Sequence, residues 1–510
     1  MNIRACCACG AVLLWLLVCG WAWWQWRRGV IAQRAGTLVG PGAMAGRTVA
    51  AAGAMRADAV LILHASQTGQ AVELAEMTAG VLRGQGVTAR VAGLGGLDAA
   101  GLATWPRVLF VASTYGEGDP PDDAAVFADR VMGGLPDLQR VQYAVLALGD
   151  ATYTHFCGFG RQLAAWLRAS GATALFDTVE VDRADGAALR RWQAALLRLS
   201  EGALPPSRHV VADPQRPAPS APAGAGAAAA AYGTAAGHAM GVGVAAPGVD
   251  FFDAALAHRP WRLQERVHVN AGSSGAGCYH LALVPADGSA LPDWQAGDIA
   301  EILFATAELE GVRRDYSIAS LPADGAIHLL LRQRHGPDGV MGVVSGWLTS
   351  QAALGAMVSL RIRRHSAFHA PVADVPMILI GNGTGIAGLR AHLKARVQAG
   401  RRRNWLLFGE RHAATDRYYD ADIAEWQGAG FLPRVDRVYS RDGGQHRYVQ
   451  DALAAAAPAL REWVSAGAAI YVCGSIDGMA AGVDTVLREV LGDAQVTALT
   501  QATRYRRDVY

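Results

Sequence analysis

No HExxH run occurs in this 510-residue chain, and the one CxxC spacing, Cys6 to Cys9, lies in an apolar stretch, which argues against a structural or catalytic metal. Seven cysteines do not make a disulfide framework at this length. Cys6, Cys7, Cys9 and Cys19 lie in one apolar stretch, and Cys157, Cys278 and Cys473 are widely scattered. A formal net charge of +2 gives no reason to expect a nucleic-acid partner. No internal repeat is evident. The length exceeds one compact core and suits two or three domains, with the catalytic part reduced and cytoplasmic.

Charge is absent altogether from Ala5 to Trp24, about the span a helix needs to cross a bilayer. Trp21, Trp23, Trp24 and Trp26 crowd its end as an interfacial belt would. Arg27, Arg28 and Arg34 follow it, against Arg4 before it, which favours the bulk of the chain on the cytoplasmic side. No small-x-small cleavage site follows the run, and Val18 before Cys19 is a poor lipoprotein context. The expectation is a single-pass anchor over residues 1–34 in a bacterial-type inner membrane, then a Gly/Ala-rich tether over 35–56.

From 57 to 204, short apolar runs at Leu61–His64, Val108–Ala112 and Tyr143–Leu148 each end in a Gly-rich loop. Helical segments separate them, the pattern of a doubly wound parallel sheet. Residues 205–250 are rich in Pro, Ala and Gly with few apolar anchors, and read as a flexible linker. Arg262–Asn270, Tyr279–Val284 and Ala300–Phe304 suggest strands of an antiparallel β-barrel over 251–370. A second α/β domain follows over 371–510, starting at Met377–Ile380.

Each strand end carries chemistry. The loop Ser66-Gln67-Thr68-Gly69-Gln70-Ala71 combines amides, hydroxyls and a helix N-terminus, an anion site for a terminal phosphate. It lacks the Lys of a triphosphate loop and so fits a flavin monophosphate better than ATP. Two further loops, Ser113-Thr114-Tyr115-Gly116 and Leu148-Gly149-Asp150 with Tyr153, Phe156 and Cys157, end the next strands. Tyr115 and Tyr153 would flank a flat aromatic ring, or else pack as ordinary loop residues. Glu117, Asp119, Asp122, Asp123 and Asp129 form an acidic run beside that edge, either a solvated face or a dock for a basic acceptor.

In the second half, Arg314-Asp315-Tyr316-Ser317 puts a pyrophosphate cation, an aromatic and a hydroxyl on one strand. Gly342-Val343-Val344-Ser345 opens a helix about 25 residues later. Gly383-Thr384-Gly385 follows an apolar strand, as a dinucleotide loop would.

These segments together resemble the diflavin reductases, in which a flavodoxin is joined to a ferredoxin–NADP reductase module. The resemblance covers Val60 to Tyr510 and implies FMN, FAD and NADPH as cofactors. It implies that residues 66–71 hold the FMN phosphate and that Tyr115 and Tyr153 sandwich its ring. Gly116 would flip its peptide to stabilise the one-electron-reduced form, and Asp182 would make a lesser contact. Ser440, Arg441, Arg447, Tyr448 and Gln450 would grip the 2′-phosphate end of NADPH, a match for guanidinium and hydroxyl donors. Ser317, Cys473 and Asp508 would orient hydride transfer, and the terminal Tyr510 would cover the FAD ring. A terminal Tyr is similar to the sulfite reductase flavoprotein. The chain departs from the family pattern at Gly388 (usually Pro), which should loosen the nucleotide loop, and at His446 (usually Lys) and Gly482 (usually Asp). About 60 residues separate Phe252 from Arg314, too few for the helical connecting domain, so the flavodoxin would swing on its Ala/Pro/Gly tether. The implied activity is hydride transfer from NADPH to FAD, with single electrons leaving through FMN to a haemoprotein. A sulfite reductase flavoprotein subunit, a membrane ferric or quinone reductase, and a flavin carrier without NADPH turnover are the alternatives.

Overall fold

A computed structural model describes residues 59–151, 153–183, 185–200, 252, 256–306, 309–336 and 339–510. The expected anchor and tether, and the linker over 205–250, lie outside the described residues. Among the described residues no helix is long and apolar enough to cross a membrane.

Six strands form the first sheet: β1 (Val60–Ala65), β2 (Ala89–Gly93), β3 (Arg107–Ser113), β4 (Gln142–Gly149), β5 (Thr173–Ala174) and β6 (Val179–Asp182). They pair in parallel in the order β2-β1-β3-β4-β5, with β6 also on β4. Parallel strands are covered on both faces, and β1 reads Val-Leu-Ile-Leu-His-Ala for that reason. The period of two splits its side chains between two cores. Val60 and Ile62 meet helices α1 (Gln70–Gly84) and α3 (Gly186–Ser200) through Leu74, Leu82, Leu189 and Trp192. Leu61 and Leu63 share the other core with Phe159, Leu163 and Leu167 of α2 (Gly158–Ala169). The switch in strand order falls between β1 and β3, where the phosphate and tyrosine loops emerge.

The second sheet is antiparallel: β7 (Arg259–His268), β8 (Cys278–Pro285), β9 (Ile299–Thr306), β10 (Leu309–Ser317), β11 (Ile327–Arg332) and β12 (Met357–Arg363). Its order is β10-β9-β12-β7-β8-β11. The two end strands meet at a corner, where the Ala319 amide donates to the His328 carbonyl at 2.8 Å. Between Arg259 and Ser317 the described residues are strand and loop only.

A third, parallel sheet has the order β15-β14-β13-β16-β17. Its strands are β13 (Met377–Asn382), β14 (Asn404–Glu410), β15 (Arg434–Tyr439), β16 (Ala469–Gly474) and β17 (Tyr505–Val509). Helix α4 (Ile386–Gln398) follows β13, and α5 (Val449–Ala455) follows β15.

One boundary differs from the sequence expectation of 251. Phe252 is fully buried in the flavodoxin core beside Trp192, and Leu256 packs on the same cluster. Its ring fills apolar space that helix α3 leaves open, so the barrel starts only at Arg259. Residues on both sides of 205–250 therefore pack in the same domain. By His258 the chain has reached the barrel, its imidazole 3.1 Å from Glu301.

Candidate active site

The phosphate loop lies between β1 and α1, closed by Gly69 at φ 83. Ser66 is buried, its hydroxyl accepting the Ala71 amide at 3.3 Å, and Ala71 packs into the core. The Ser66 amide donates to both oxygens of Asp123 at 3.0 Å. Gln67 exchanges hydrogen bonds with Asp122 through its side-chain amide (3.1 and 2.9 Å). Gln70 is the first residue of α1, and Thr68 faces a cleft described below. Ser113 ends β3, and the Thr114 amide donates to Leu148 at 3.0 Å. The Thr114 hydroxyl is buried with no partner among the described residues, as a ligand-facing hydroxyl would be. Gly116 sits at φ 50, a conformation that suits its glycine.

Tyr153 stands half-exposed at the mouth of the cleft, whereas Tyr115 packs against the core of the third sheet. Gly149 has Cys157 so close that a Cβ would fall 2.7 Å from its amide nitrogen. Leu148 is core, Asp150 pairs with Arg183, and Phe156 packs on the core beneath Arg161. The Cys157 thiol faces inward, donating to Ala147 at 3.3 Å, and burial pushes it up to about 12; only its backbone is left for a ligand. Asp182 braces this loop by accepting the Ala151 amide at 3.0 Å.

The FAD signature gathers around a cleft of about 820 Å³. Arg314, Asp315, Tyr316 and Ser317 of β10 line one wall, and Gly342, Val343, Val344 and Ser345 another. Gly383, Thr384 and the tail Asp508-Val509-Tyr510 close it, and Thr68 and Tyr153 of the flavodoxin domain reach in. The volume suits a flavin dinucleotide. Ser345 is spent on its own turn: its hydroxyl donates to Gly342 and accepts the Arg334 amide at 3.2 Å.

Ser317, Cys473 and Asp508 meet. Parallel pairing puts Cys473 of β16 opposite Asp508 of β17, and the Ser317 hydroxyl donates to the Asp508 carboxylate at 2.7 Å. The Cys473 thiol points at the same oxygen from 3.6 Å. Burial, then the Asp508 charge, pushes that thiol far up, so it stays protonated as a donor. The Tyr510 hydroxyl lies 3.1 Å from that of Thr384, holding the half-exposed ring over the cleft.

Gly385 has no room for a side chain, because a Cβ would overlap the Cys473 carbonyl. Gly383 sits at φ 57. Gly388, expected in the loop, lies instead in the first turn of α4. A Cβ there would be 3.4 Å from both the Cys473 sulfur and the Ser317 Cβ. The 2′-phosphate candidates follow β15. The Ser440 and Arg441 amides are fixed on the carbonyls of Glu410 and Arg411 (2.8 and 2.9 Å). Arg447 lies 5.3 Å over the exposed ring of Tyr448, the residue at the N-terminal boundary of α5. Gln450 has a buried Oε1 with no hydrogen-bond partner among the described residues, and it fills the space that a side chain at Gly482 would take.

Sequence reading missed the residues that join these domains. Arg507 of β17 makes a two-pronged ion pair with Asp122 of the flavodoxin, one arm at 2.7 Å. Arg361 joins Glu301 (3.0 Å) to Glu73 of α1 (2.6 Å), and Arg363 reaches Thr68. Glu301 is buried, yet the His258 hydrogen bond and the charges of Arg361 and Arg363 hold its carboxyl well below the usual range. Part of the acidic run is thus used internally. The Arg361–His365 run was the signal, but charge runs ordinarily read as solvated.

Comparison with known proteins agrees with this layout. The flavodoxin family matches residues 62–192 and the oxidoreductase NAD-binding domain matches 379–485. The sulfite reductase [NADPH] flavoprotein alpha-component of Thiocapsa roseopersicina is 32% identical over 85% of this chain and 84% of its own length. Those of Neisseria meningitidis serogroup C and Vibrio vulnificus are 29% and 28% identical over 96% and 91% of this chain, and 95% and 89% of theirs. Fold and matches define a flavoprotein oxidoreductase that uses NADPH. The chain belongs to the diflavin reductase family, with FMN in the flavodoxin domain and FAD and NADPH in the reductase module.

Proposed function

We propose that this chain is the electron-splitting component of a sulfite-reductase-type system, delivering electrons singly from FMN to a haemoprotein. The observation that carries it is the shared cleft, because Thr68 and Tyr153 of the flavodoxin open onto the space lined by the FAD signature. A short path between two flavins is what converts a two-electron donor into a one-electron one. Relatives named as sulfite reductase flavoprotein alpha-components support the acceptor class.

When bound, FAD accepts the hydride and FMN passes electrons on. The protein's own residues bind and orient. Ser317 and Asp508 hold a directed hydrogen bond at the hydride site, with the Cys473 thiol as second donor. Tyr510, lining the cleft with its hydroxyl by Thr384, would exclude water from a flavin bound there. Arg314 is placed for pyrophosphate, and Ser440, Arg441 and Arg447 for the 2′-phosphate.

Anaerobic titration with NADPH should take up about four electrons per chain. Reconstitution with a purified haem protein should give NADPH-driven haem reduction that FMN removal abolishes. Haem reduction surviving FMN removal would sink the proposed exit route. A membrane-held acceptor is a second reading, favoured by the uncharged Ala5–Trp24 run. It places the catalytic domains on the cytoplasmic face of a bacterial-type inner membrane. Deleting residues 1–34 should then move the protein from membrane to soluble fraction, and a soluble full-length chain would end that reading.

A further inference from the structure

Arg441, a cation placed for the 2′-phosphate, is followed directly by Asp442, and both are exposed beyond β15. A carboxylate beside that guanidinium is able to pair with it and to repel an incoming phosphate dianion. The pair is absent among the described residues, because both Asp442 oxygens are taken elsewhere. His412 Nδ1 lies 2.9 Å from Oδ1, and the Ala413 amide donates to Oδ2 at 2.6 Å. The Ala413 amide, then the His412 ring, hold the Asp442 carboxyl below its usual range. An ionised carboxylate only accepts, so Nδ1 carries the proton that faces it.

The barrel fixes His412 in this role. The loop between β7 and β8 brings the Ser274 hydroxyl to 2.9 Å from His412 Nε2. The His412 amide donates to Asp416 at 3.0 Å, and Asp416 is 1% exposed. The same barrel loop donates to Asp416 through Ser273 Oγ (3.0 Å) and Asn270 Nδ2 (3.3 Å). Gly275 lies against Arg411, where a Cβ would fall 2.7 Å from Nη1. The Gly275 amide donates to Ser273 Oγ at 3.1 Å and does not face outward as an oxyanion donor would. Ser274, His412 and Asp442 therefore form a brace, not a nucleophilic triad.

We propose that His412 is a positioning residue for NADPH, which holds Asp442 aside and so keeps Arg441 free for the 2′-phosphate. The barrel loop, through Ser274 and Asp416, thereby sets selectivity in the neighbouring nucleotide domain. The proposal rests on the assignment of Ser440 and Arg441 to the 2′-phosphate.

The test is calorimetric binding of adenosine 2′,5′-bisphosphate to the full chain carrying both flavins, with adenosine 5′-monophosphate as control. His412→Ala should weaken the bisphosphate about fivefold at low salt, the scale of an exposed ion pair formed in competition, and leave the monophosphate unchanged. Adding Asp442→Asn to His412→Ala should restore the parent affinity, and Asp442→Asn alone should bind at least as tightly as the parent. In turnover the loss should appear in KM for NADPH and not in KM for NADH. Parent-like affinity in His412→Ala overturns the proposal. So does a double variant as weak as His412→Ala, which would leave His412 a loop brace only. Should His412→Ala not fold, weaker bisphosphate binding by Asp442→Asn alone overturns it. A parent chain that binds the two nucleotides equally refutes the 2′-phosphate assignment itself.

Discussion

Asp508 is the acceptor for two donors that arrive from segments far apart, Ser317 and Cys473. Replacing it with Asn keeps the shape but removes the charge that orients both. Flavin reduction by NADPH should slow about 10- to 100-fold, with a smaller change in KM. Rapid-mixing absorbance at the flavin band reads this step apart from electron exit. Ser317→Ala should fall in the same range, and the double variant should be no worse than the single ones, since the residues act as a unit. A purely packing role would give additive losses.

His392 of α4 is fully buried between Phe368 and Tyr471, and neither ring nitrogen has a partner among the described residues. Burial, then the nearby His369, lowers it to about 3. The unfolded chain takes up this proton near pH 6.5 and the folded chain does not. Stability is therefore complete above pH 6.5 and is lost as pH falls toward 3, by an amount on the order of 4 kcal/mol. His392→Leu should flatten the acid side of a melting-temperature profile and leave pH 8 almost unchanged. An unchanged acid slope would assign that sensitivity to other groups.

At the scale of elements, the nucleotide turn between β13 and α4 separates two glycines that look alike in sequence. Gly385→Ala drives a Cβ into the Cys473 carbonyl and should remove NADPH oxidation together with several kcal/mol of stability. Gly388→Ala adds a methyl inside a helix at ordinary contact distance. It should raise stability by about 0.5–1 kcal/mol and preserve NADPH binding. Thermal melts with an NADPH titration would check both. Gly388 was legible as a departure from Pro, but its place in the helix was not. The loop's length fixes neither where the first turn starts nor that Cys473 lies beneath it.

For the whole molecule, the Arg507–Asp122 pair ties the strand carrying Asp508 to the flavodoxin loop carrying Tyr115. Both side chains are partly exposed, so the pair is worth about 1 kcal/mol at most. Asp122→Asn should leave FAD reduction unchanged and slow FMN reduction about two- to fivefold at low salt. Added salt should bring the parent chain toward the variant. Equal salt profiles would mean that the pair has no part in docking.

The sequence by itself determined the three sheets, their order and the loops that end their strands. Those are local matters: a period of two, apolar runs, glycine turns and hydroxyls at helix starts. Ser317, Cys473 and Asp508 came out of the sequence through the resemblance to the diflavin reductases. Only the tertiary structure decided that Phe252 belongs to the flavodoxin core, that the Cys157 thiol turns inward, and that Arg363 and Arg507 bridge domains. The Phe252, Arg363 and Arg507 contacts span 59 to 385 residues, where no periodicity reaches. A buried arginine is stable only when its acceptors converge from several strands, and that convergence exists only in the folded chain.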